Sequence, residues 1–183
     1  MGVDARDVDN DGRPDIFETA MITETMPYFW NAGGILFEER TYTTGLSALT
    51  IKKSGWSNGI FDFNNDGWKD LFAACGDVMD VGGNFGDRVP QSNSVFVNLR
   101  NGRFEDGSSS AGPDFTRKAV HRGCAFGDLD NDGRIDVVTT ALNGPLHVWR
   151  NVSPTPNHWL QVRAIGGKSN RDGLGAKLKI VTT

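Results

Sequence analysis

A nine-residue acidic loop occurs three times in this chain, and its recurrence constrains the fold more than any other feature. The copies read Asp7-Val-Asp9-Asn-Asp11-Gly12-Arg13-Pro-Asp15, Asp62-Phe-Asn64-Asn-Asp66-Gly67-Trp68-Lys-Asp70 and Asp128-Leu-Asp130-Asn-Asp132-Gly133-Arg134-Ile-Asp136. Each puts oxygen-bearing side chains at positions 1, 3, 5 and 9, Asn at 4, Gly at 6 and an apolar residue at 2. The glycine lets the backbone turn sharply, because only Gly enters the left-handed region without steric cost. Asn-Asp-Gly runs are also ordinary hairpin turns. Here, however, the three loops hold 11 of the 23 acidic residues. Carboxylates crowded in this way repel one another unless a cation offsets them.

The spacing fits a hard divalent ion. Calcium takes roughly six to eight oxygen ligands at about 2.3–2.6 Å. Four side-chain oxygens and the backbone carbonyl at position 7 nearly fill such a shell. The expected ligands are Asp7, Asp9, Asp11, Asp15 and the Arg13 carbonyl in the first loop, and Asp62, Asn64, Asp66, Asp70 and the Trp68 carbonyl in the second. The third loop supplies Asp128, Asp130, Asp132, Asp136 and the Arg134 carbonyl, so about three Ca2+ ions are expected, one per loop. The EF-hand is the nearest rival, and Glu18 does stand at its position 12, but Ala73 and Thr139 replace it in the other copies. The runs that follow, Ile16-Phe17, Leu71-Phe72 and Val137-Val138-Thr139-Thr140, are apolar and partly β-branched. They read as strands and not as exiting helices.

Similarity continues beyond each loop at fixed distances, the mark of a repeat architecture. A small residue follows (Ala20, Cys75, Ala141), then an aromatic-apolar stretch closing on Asn: Tyr28 to Asn31, Val95 to Asn98 and Val148 to Asn151. In the first two copies a Gly-containing turn leads on to Phe37 or Phe104. Short strands in sets of four, repeated along a chain, are the pattern of propeller blades. The repeat resembles the FG-GAP or VCBS family, the calcium-loop blades of integrin α-chain propellers, and Arg122 to Asp136 is similar to bacterial secreted members. The tail, Asn157 to Arg163 and Ser169 to Ala176, resembles the opening of the ASPIC/UnbV domain that follows such blades in the cartilage acidic proteins. The expected fold is therefore all-β: a partial β-propeller of three four-stranded blades, followed by the start of a second β-rich module. Residues 1–153 would form the blades (about 1–39, 40–106 and 107–153), and 154–183 a truncated ASPIC/UnbV-like part. Because propellers usually close with about four to eight blades, and few residues precede Asp7, the remaining blades of a longer chain are the expected neighbours. A ring closed by several copies is the alternative.

The formal charge of −4 is ligand chemistry, since three bound calcium ions would carry it to about +2. It gives no argument for a nucleic-acid partner, and no apolar run is long enough to insert in a membrane. Extracellular calcium modules work at about 0.1–1 mM, which points to a secreted, periplasmic or cell-surface protein. The resemblance implies a calcium-stabilised scaffold for adhesion or interaction with a protein or carbohydrate ligand, with no catalytic residues. The alternative it leaves open is a piece of a calcium-bearing propeller enzyme such as a polysaccharide lyase. The second repeat carries about a dozen extra residues around 76–93, including Met79 and Phe85, and reads as an exposed recognition loop or a plain surface insertion. Cys75 and Cys124 read as buried thiols, with a bridge between blades as the other reading. His121, His147 and His158 show no zinc spacing, and the run Gly107 to Gly112 reads as a connecting loop. Asn151-Val-Ser153 matches a glycosylation acceptor, yet Asn151 shares its repeat position with Asn31 and Asn98, which favours a structural role. The basic residues Lys168, Arg171, Lys177 and Lys179 read as a solvated face.

Overall fold

Each acidic loop lies between the first and second strands of an antiparallel sheet. A computed structural model describes residues 1–78 and 89–181. The first sheet has the order β1 (Val3–Arg6), β2 (Asp15–Glu18), β3 (Tyr28–Gly33), β4 (Leu36–Glu39). The second follows the same order with β5 (Gly55–Phe61), β6 (Asp70–Cys75), β7 (Ser94–Asn98) and β8 (Phe104–Asp106). The third contains β9 (His121–Gly127), β10 (Asp136–Ala141) and β11 (His147–Trp149). The first strands stand side by side, β1 against β5 and β5 against β9. The described residues are thus all-β apart from a five-residue α-helix and a short 3-10 helix (Pro113–Thr116), with three sheets following one another as blades of an open, propeller-like fold.

The cores lie between blades. From the first blade Val8, Phe17, Met26 and Tyr28 meet Ile60, Leu71, Phe96 and Phe104 of the second. On the other side Phe63 and Phe72 meet Val137, Phe126 and Trp149 of the third, with Phe115 packed in from the connecting segment. Phe72 and Phe126 are edge-on at 5.5 Å between centroids, a favoured aromatic geometry. Gly59 lies flat under Phe126, where a Cβ would come within 2.4 Å of the ring. Since the second blade is covered on both faces, all six residues of β6 are buried. Its apolar run, Leu71 to Cys75, is unbroken for that reason. In β2, Glu18 instead points to solvent.

Several expectations need correction. The third sheet has three strands among the described residues, not four. After Asn151 the chain meets Pro154 and Pro156, which lack the N–H groups that a pairing strand must donate. No strand forms from 154 to 181, where the start of a β-rich module was expected. Its apolar residues Leu160, Ile165, Leu174 and Leu178 are exposed, and no sheet edge or helix covers them. The residues ahead of Asp7 do form a short first strand, β1, so the first blade has all four strands. The connection between the first two blades contains a helix, α1 (Leu46–Thr50), entered through Gly45 at φ 86°. Leu46 and Leu49 turn it onto the first core.

The extra segment around 76–93 is not simply an exposed loop. Residues 79–88, with Met79 and Phe85, lie outside the described residues, but both flanks are built into the blade. Asp77 N–H donates to Val89 O at 2.8 Å. Gln91 Oε1 accepts from Ser54 N–H at 2.9 Å, and Asn93 Oδ1 accepts from Cys75 N–H at 3.1 Å. These polar residues are buried because they satisfy backbone donors that no strand reaches. Both cysteines are free, and burial pushes each thiol up to about 11.

His121 and His147 form a buried pair at the seam with the second blade. A carbonyl only accepts, so His121 Nδ1, 3.1 Å from Cys75 O, carries a hydrogen. The neutral ring then accepts at Nε2 from His147 Nδ1–H at 3.1 Å. Burial lowers the pKa of His121, which must stay neutral in the folded state. An imidazole depressed in this way leaves stability intact above the ordinary value of about 6.5 and removes it as pH falls below, because the unfolded chain then binds more protons. Between pH 7.5 and 5.5, wild type should lose stability relative to His121→Leu in urea unfolding; parallel profiles would contradict the assigned tautomers. Gln91→Ala, which strands the Ser54 N–H, should cost about 1–3 kcal/mol in the same measurement, and no loss would mean that this flank is dispensable.

Candidate metal centre

Position 9 is the first residue of the second strand in every blade: Asp15, Asp70 and Asp136. All three carboxylates are buried, which is costly unless they are hydrogen-bonded. One oxygen accepts the N–H of position 2, from Val8 at 3.2 Å, Phe63 at 3.2 Å and Leu129 at 2.9 Å. The other accepts the N–H of the repeat asparagine, from Asn31 at 2.8 Å, Asn98 at 2.9 Å and Asn151 at 2.7 Å. Tyr28 adds its hydroxyl to Asp15 at 2.9 Å. Burial pushes the Asp70 carboxyl up to about 7 and raises Asp15 as well, while these hydrogen bonds pull both back. Burial also raises the Tyr28 hydroxyl, with the Asp15 charge adding to it.

Position 1 closes the loop from the other end. Asp7, Asp62 and Asp128 each accept the N–H of position 5, at 3.0, 2.9 and 3.0 Å. Each also accepts the N–H of the position 6 glycine, at 2.9, 2.7 and 2.9 Å. The glycines have φ of 88°, 88° and 83°, and the asparagines at position 4 are left-handed too, at 62°, 54° and 59°. Position 5 in turn accepts the N–H of position 7, from Arg13 at 2.9 Å, Trp68 at 2.8 Å and Arg134 at 3.0 Å. Positions 1, 5 and 9 are therefore gathered by one hydrogen-bond pattern repeated three times, and position 3 joins it in the first two loops, where Asp9 and Asn64 accept the position 5 N–H at 3.3 and 3.0 Å. In the first loop Asp7, Asp9 and Asp11, and in the third Asp128, Asp130 and Asp136, bring carboxylate oxygens within 4.8 Å of one another. In the second loop, with Asn64 at position 3, three carboxylates do not converge in this way among the described residues.

The arginines do more than supply backbone. Arg13 pairs with Asp11 and Arg134 with Asp132. In the second loop, where position 7 is Trp68, Arg100 reaches Asp66 at 2.9 Å from the turn after β7. The third loop takes a second guanidinium, Arg150, 2.6 Å from Asp130. In the first loop Trp30 Nε1–H donates to Asp9 at 2.7 Å. Sequence reading missed Arg100 and Arg150 because their distance along the chain hides the contact.

The asparagines tie the loops to their blades and the blades to each other. Asn31, Asn98 and Asn151 donate from Nδ2 to position 8 carbonyls, Pro14 at 2.9 Å, Lys69 at 3.1 Å and Ile135 at 3.2 Å. Asn98 also donates to Val8 O of the preceding blade at 3.2 Å, and Asn151 to Phe63 O at 2.7 Å. Loop to loop, Asn10 donates to Gly67 O at 2.9 Å and Asn65 to Gly133 O at 3.1 Å. With both Nδ2 hydrogens engaged, Asn151 is built into the structure as its repeat position suggested.

A sheet repeated with an acidic loop between its first two strands defines a class of acidic-loop β repeats. The model of the FG-GAP-like repeat matches the chain twice, over residues 7–73 and 62–139, each time running from one loop through the next and into the strand behind it. The chain belongs to the FG-GAP-like repeat family. No curated protein is significantly similar to it.

Asn98→Ala removes a bond across the blade interface, to Val8 O, as well as two within the blade, to Lys69 O and from Arg100 N–H, whereas Asn31→Ala removes only the two within-blade bonds, to Pro14 O and from Gly33 N–H. Urea unfolding should show Asn98→Ala costing more by about 1 kcal/mol. Equal costs would deny the cross-blade bond any share in stability.

Proposed function

We propose that the protein is a calcium-stabilised scaffold that presents its blades to a protein or carbohydrate ligand outside the cytoplasm, as a secreted, periplasmic or cell-surface protein. The observation that carries this reading is the convergence of oxygen ligands in loops already shaped by their own backbone. The donor set suits a hard cation: carboxylates and an amide oxygen, with no sulfur or imidazole, match calcium. Asp7, Asp9, Asp11 and Asp15, with the Arg13 carbonyl, would hold the ion in the first loop. Their counterparts, including the Trp68 and Arg134 carbonyls, would serve the others. Such an ion supplies charge that offsets the carboxylates and fixes the loop between two strands. This reading gives the ion a structural role, with no part in catalysis. The family supports the scaffold, while adhesion and export rest on the resemblance to integrin-type blades. We assign the tail from residue 154 to an ASPIC/UnbV-like module on the same ground.

Binding to the folded state alone stabilises it, by about 2.7 kcal/mol per site at free ion about 100-fold above the dissociation constant. Thermal unfolding should therefore shift upward with calcium and downward with chelator; a melting curve indifferent to both would remove the calcium assignment. The guanidiniums refine the order of the sites. The first loop sets four carboxylates against Arg13, the second sets three against Arg100, and the third sets four against Arg134 and Arg150. Asp11→Ala should cost more calcium-dependent stability than Asn64→Ala. Arg150→Ala should tighten the third site, read as a lower calcium midpoint in the same titration, and a higher midpoint would overturn the charge argument.

A further inference from the structure

After the third sheet the chain turns back over the acidic loops. Asn151 donates to Phe63 O in the second loop, and its Oδ1 accepts from Ser153 N–H at 3.0 Å. Pro154 and Pro156 then fix φ at two of the next three residues. Asn157 Nδ2 donates to Asn65 O, again in the second loop, at 2.8 Å. Two residues further on, the five-membered ring of Trp159 fills the space that a Cβ on Gly133 of the third loop would need. At Gly12 and Gly67, the same position in the other two loops, nothing among the described residues beyond the chain neighbours comes within 4 Å of such a Cβ. Gly133 is accordingly half-buried where Gly12 and Gly67 are exposed.

These contacts meet where the second loop joins the third. Asn65 donates from its side chain to Gly133 O at 3.1 Å and accepts at its carbonyl from Asn157. Gly133 in turn gives its N–H to the position 1 carboxylate, Asp128, at 2.9 Å. The tail thus holds, from outside, both the bond between the loops and the glycine that orients a candidate ligand. An indole has no oxygen to offer an ion, so Trp159 acts on the loop through its shape and its access to water.

We propose that the segment 154–159 is a strap whose docking is coupled to cation entry in the third loop, so that calcium shifts the tail from a released to a docked state. The coupling rests on the reading of the loops as calcium sites. Covering one side of the loop lowers the local dielectric, which strengthens the repulsion among Asp128, Asp130 and Asp136 when the loop is empty and their attraction for an ion when it is filled. Both effects favour the filled loop, so the docked strap tightens the third site. By linkage, the ion tightens the strap by the same factor. The two prolines stiffen the strap in its released state, so less chain entropy opposes docking. The first loop has no such cover at Gly12, which makes the response particular to the third.

The test uses the full chain. Terbium, a hard cation that luminesces when an adjacent indole is excited, reports the sites, and tryptic cleavage after Arg163, followed by mass spectrometry, reports the tail. Trp159→Phe should remove the third loop's share of the terbium emission. Asn157→Ala keeps the indole but loses the bond to Asn65 O, and the midpoint of that share, read as the difference with and without Trp159, should rise about fivefold. Calcium should slow cleavage after Arg163 in wild type, and Asn157→Ala should lose most of that protection. Emission unchanged by Trp159→Phe would show that the strap does not lie on the third loop and would overturn the proposal. Equal midpoints and equal protection in wild type and Asn157→Ala, with terbium bound to both, would overturn the coupling and leave the calcium reading standing. A wild type that binds neither calcium nor terbium in equilibrium dialysis would overturn both.

Discussion

The rest of the structure depends on a buried carboxylate with no cationic side chain against it among the described residues. Asp15, Asp70 and Asp136 sit where loop, second strand and third strand meet, and each is held by backbone N–H groups from the loop and from the repeat asparagine. Hydrogen bonds to a charged acceptor are about twice as strong as neutral ones. Here they offset a desolvation that is large enough to push Asp70 up to about 7. The same bonds fix the register, because the asparagine N–H must lie opposite the first residue of the strand. A cation in the loop would add a further pull on this group, toward its charged form. The closing residue is thus a structural tie as well as a candidate ligand, and this double use explains why it is the one loop aspartate buried in every copy.

From that tie the architecture spreads by neighbour contacts. Each repeat asparagine reaches one carbonyl in its own blade and, at the internal seams, one in the blade before it. The position 4 asparagine reaches forward to the next loop. Apolar packing runs through the same seams, with Gly59 admitting the ring of Phe126. Stability in such a chain is shared between repeats and the interfaces that join them. The middle blade, with partners on both faces, is accordingly the one whose central strand is wholly buried.

What the sequence made legible is what local spacing controls. The loops, the strands behind them and the register of the repeat asparagines follow from residue types at fixed offsets, and the structure places all of them as expected. Helix α1 escaped because five residues are too few to establish a helical period, and its position is set by Leu46 reaching a core made by other blades. The flanks of the 76–93 segment escaped for a related reason. Asp77, Gln91 and Asn93 look like loop residues in isolation, yet each is buried because a distant Ser54 or Cys75 needs its oxygen. The missing fourth strand of the third sheet was foreshadowed by the absence of a Gly turn and Phe after Asn151. The prolines that follow explain it.

The arginines separate a chemical requirement from a residue position. Every position 5 carboxylate meets a guanidinium, yet the donor comes from position 7 in two loops and from Arg100 in the third case, where Trp68 occupies that place. Pairs this exposed contribute little one by one. Their recurrence has a different meaning, since carboxylates gathered at positions 1, 3 and 5 repel and a nearby positive charge relieves that repulsion. The guanidinium contacts the oxygen of position 5 that the backbone leaves free, while Oδ1 stays bound to the position 7 N–H. Loop shape is thereby maintained by the chain's own charges, and a cation entering the loop would meet ligands already placed, with an arginine to displace or share.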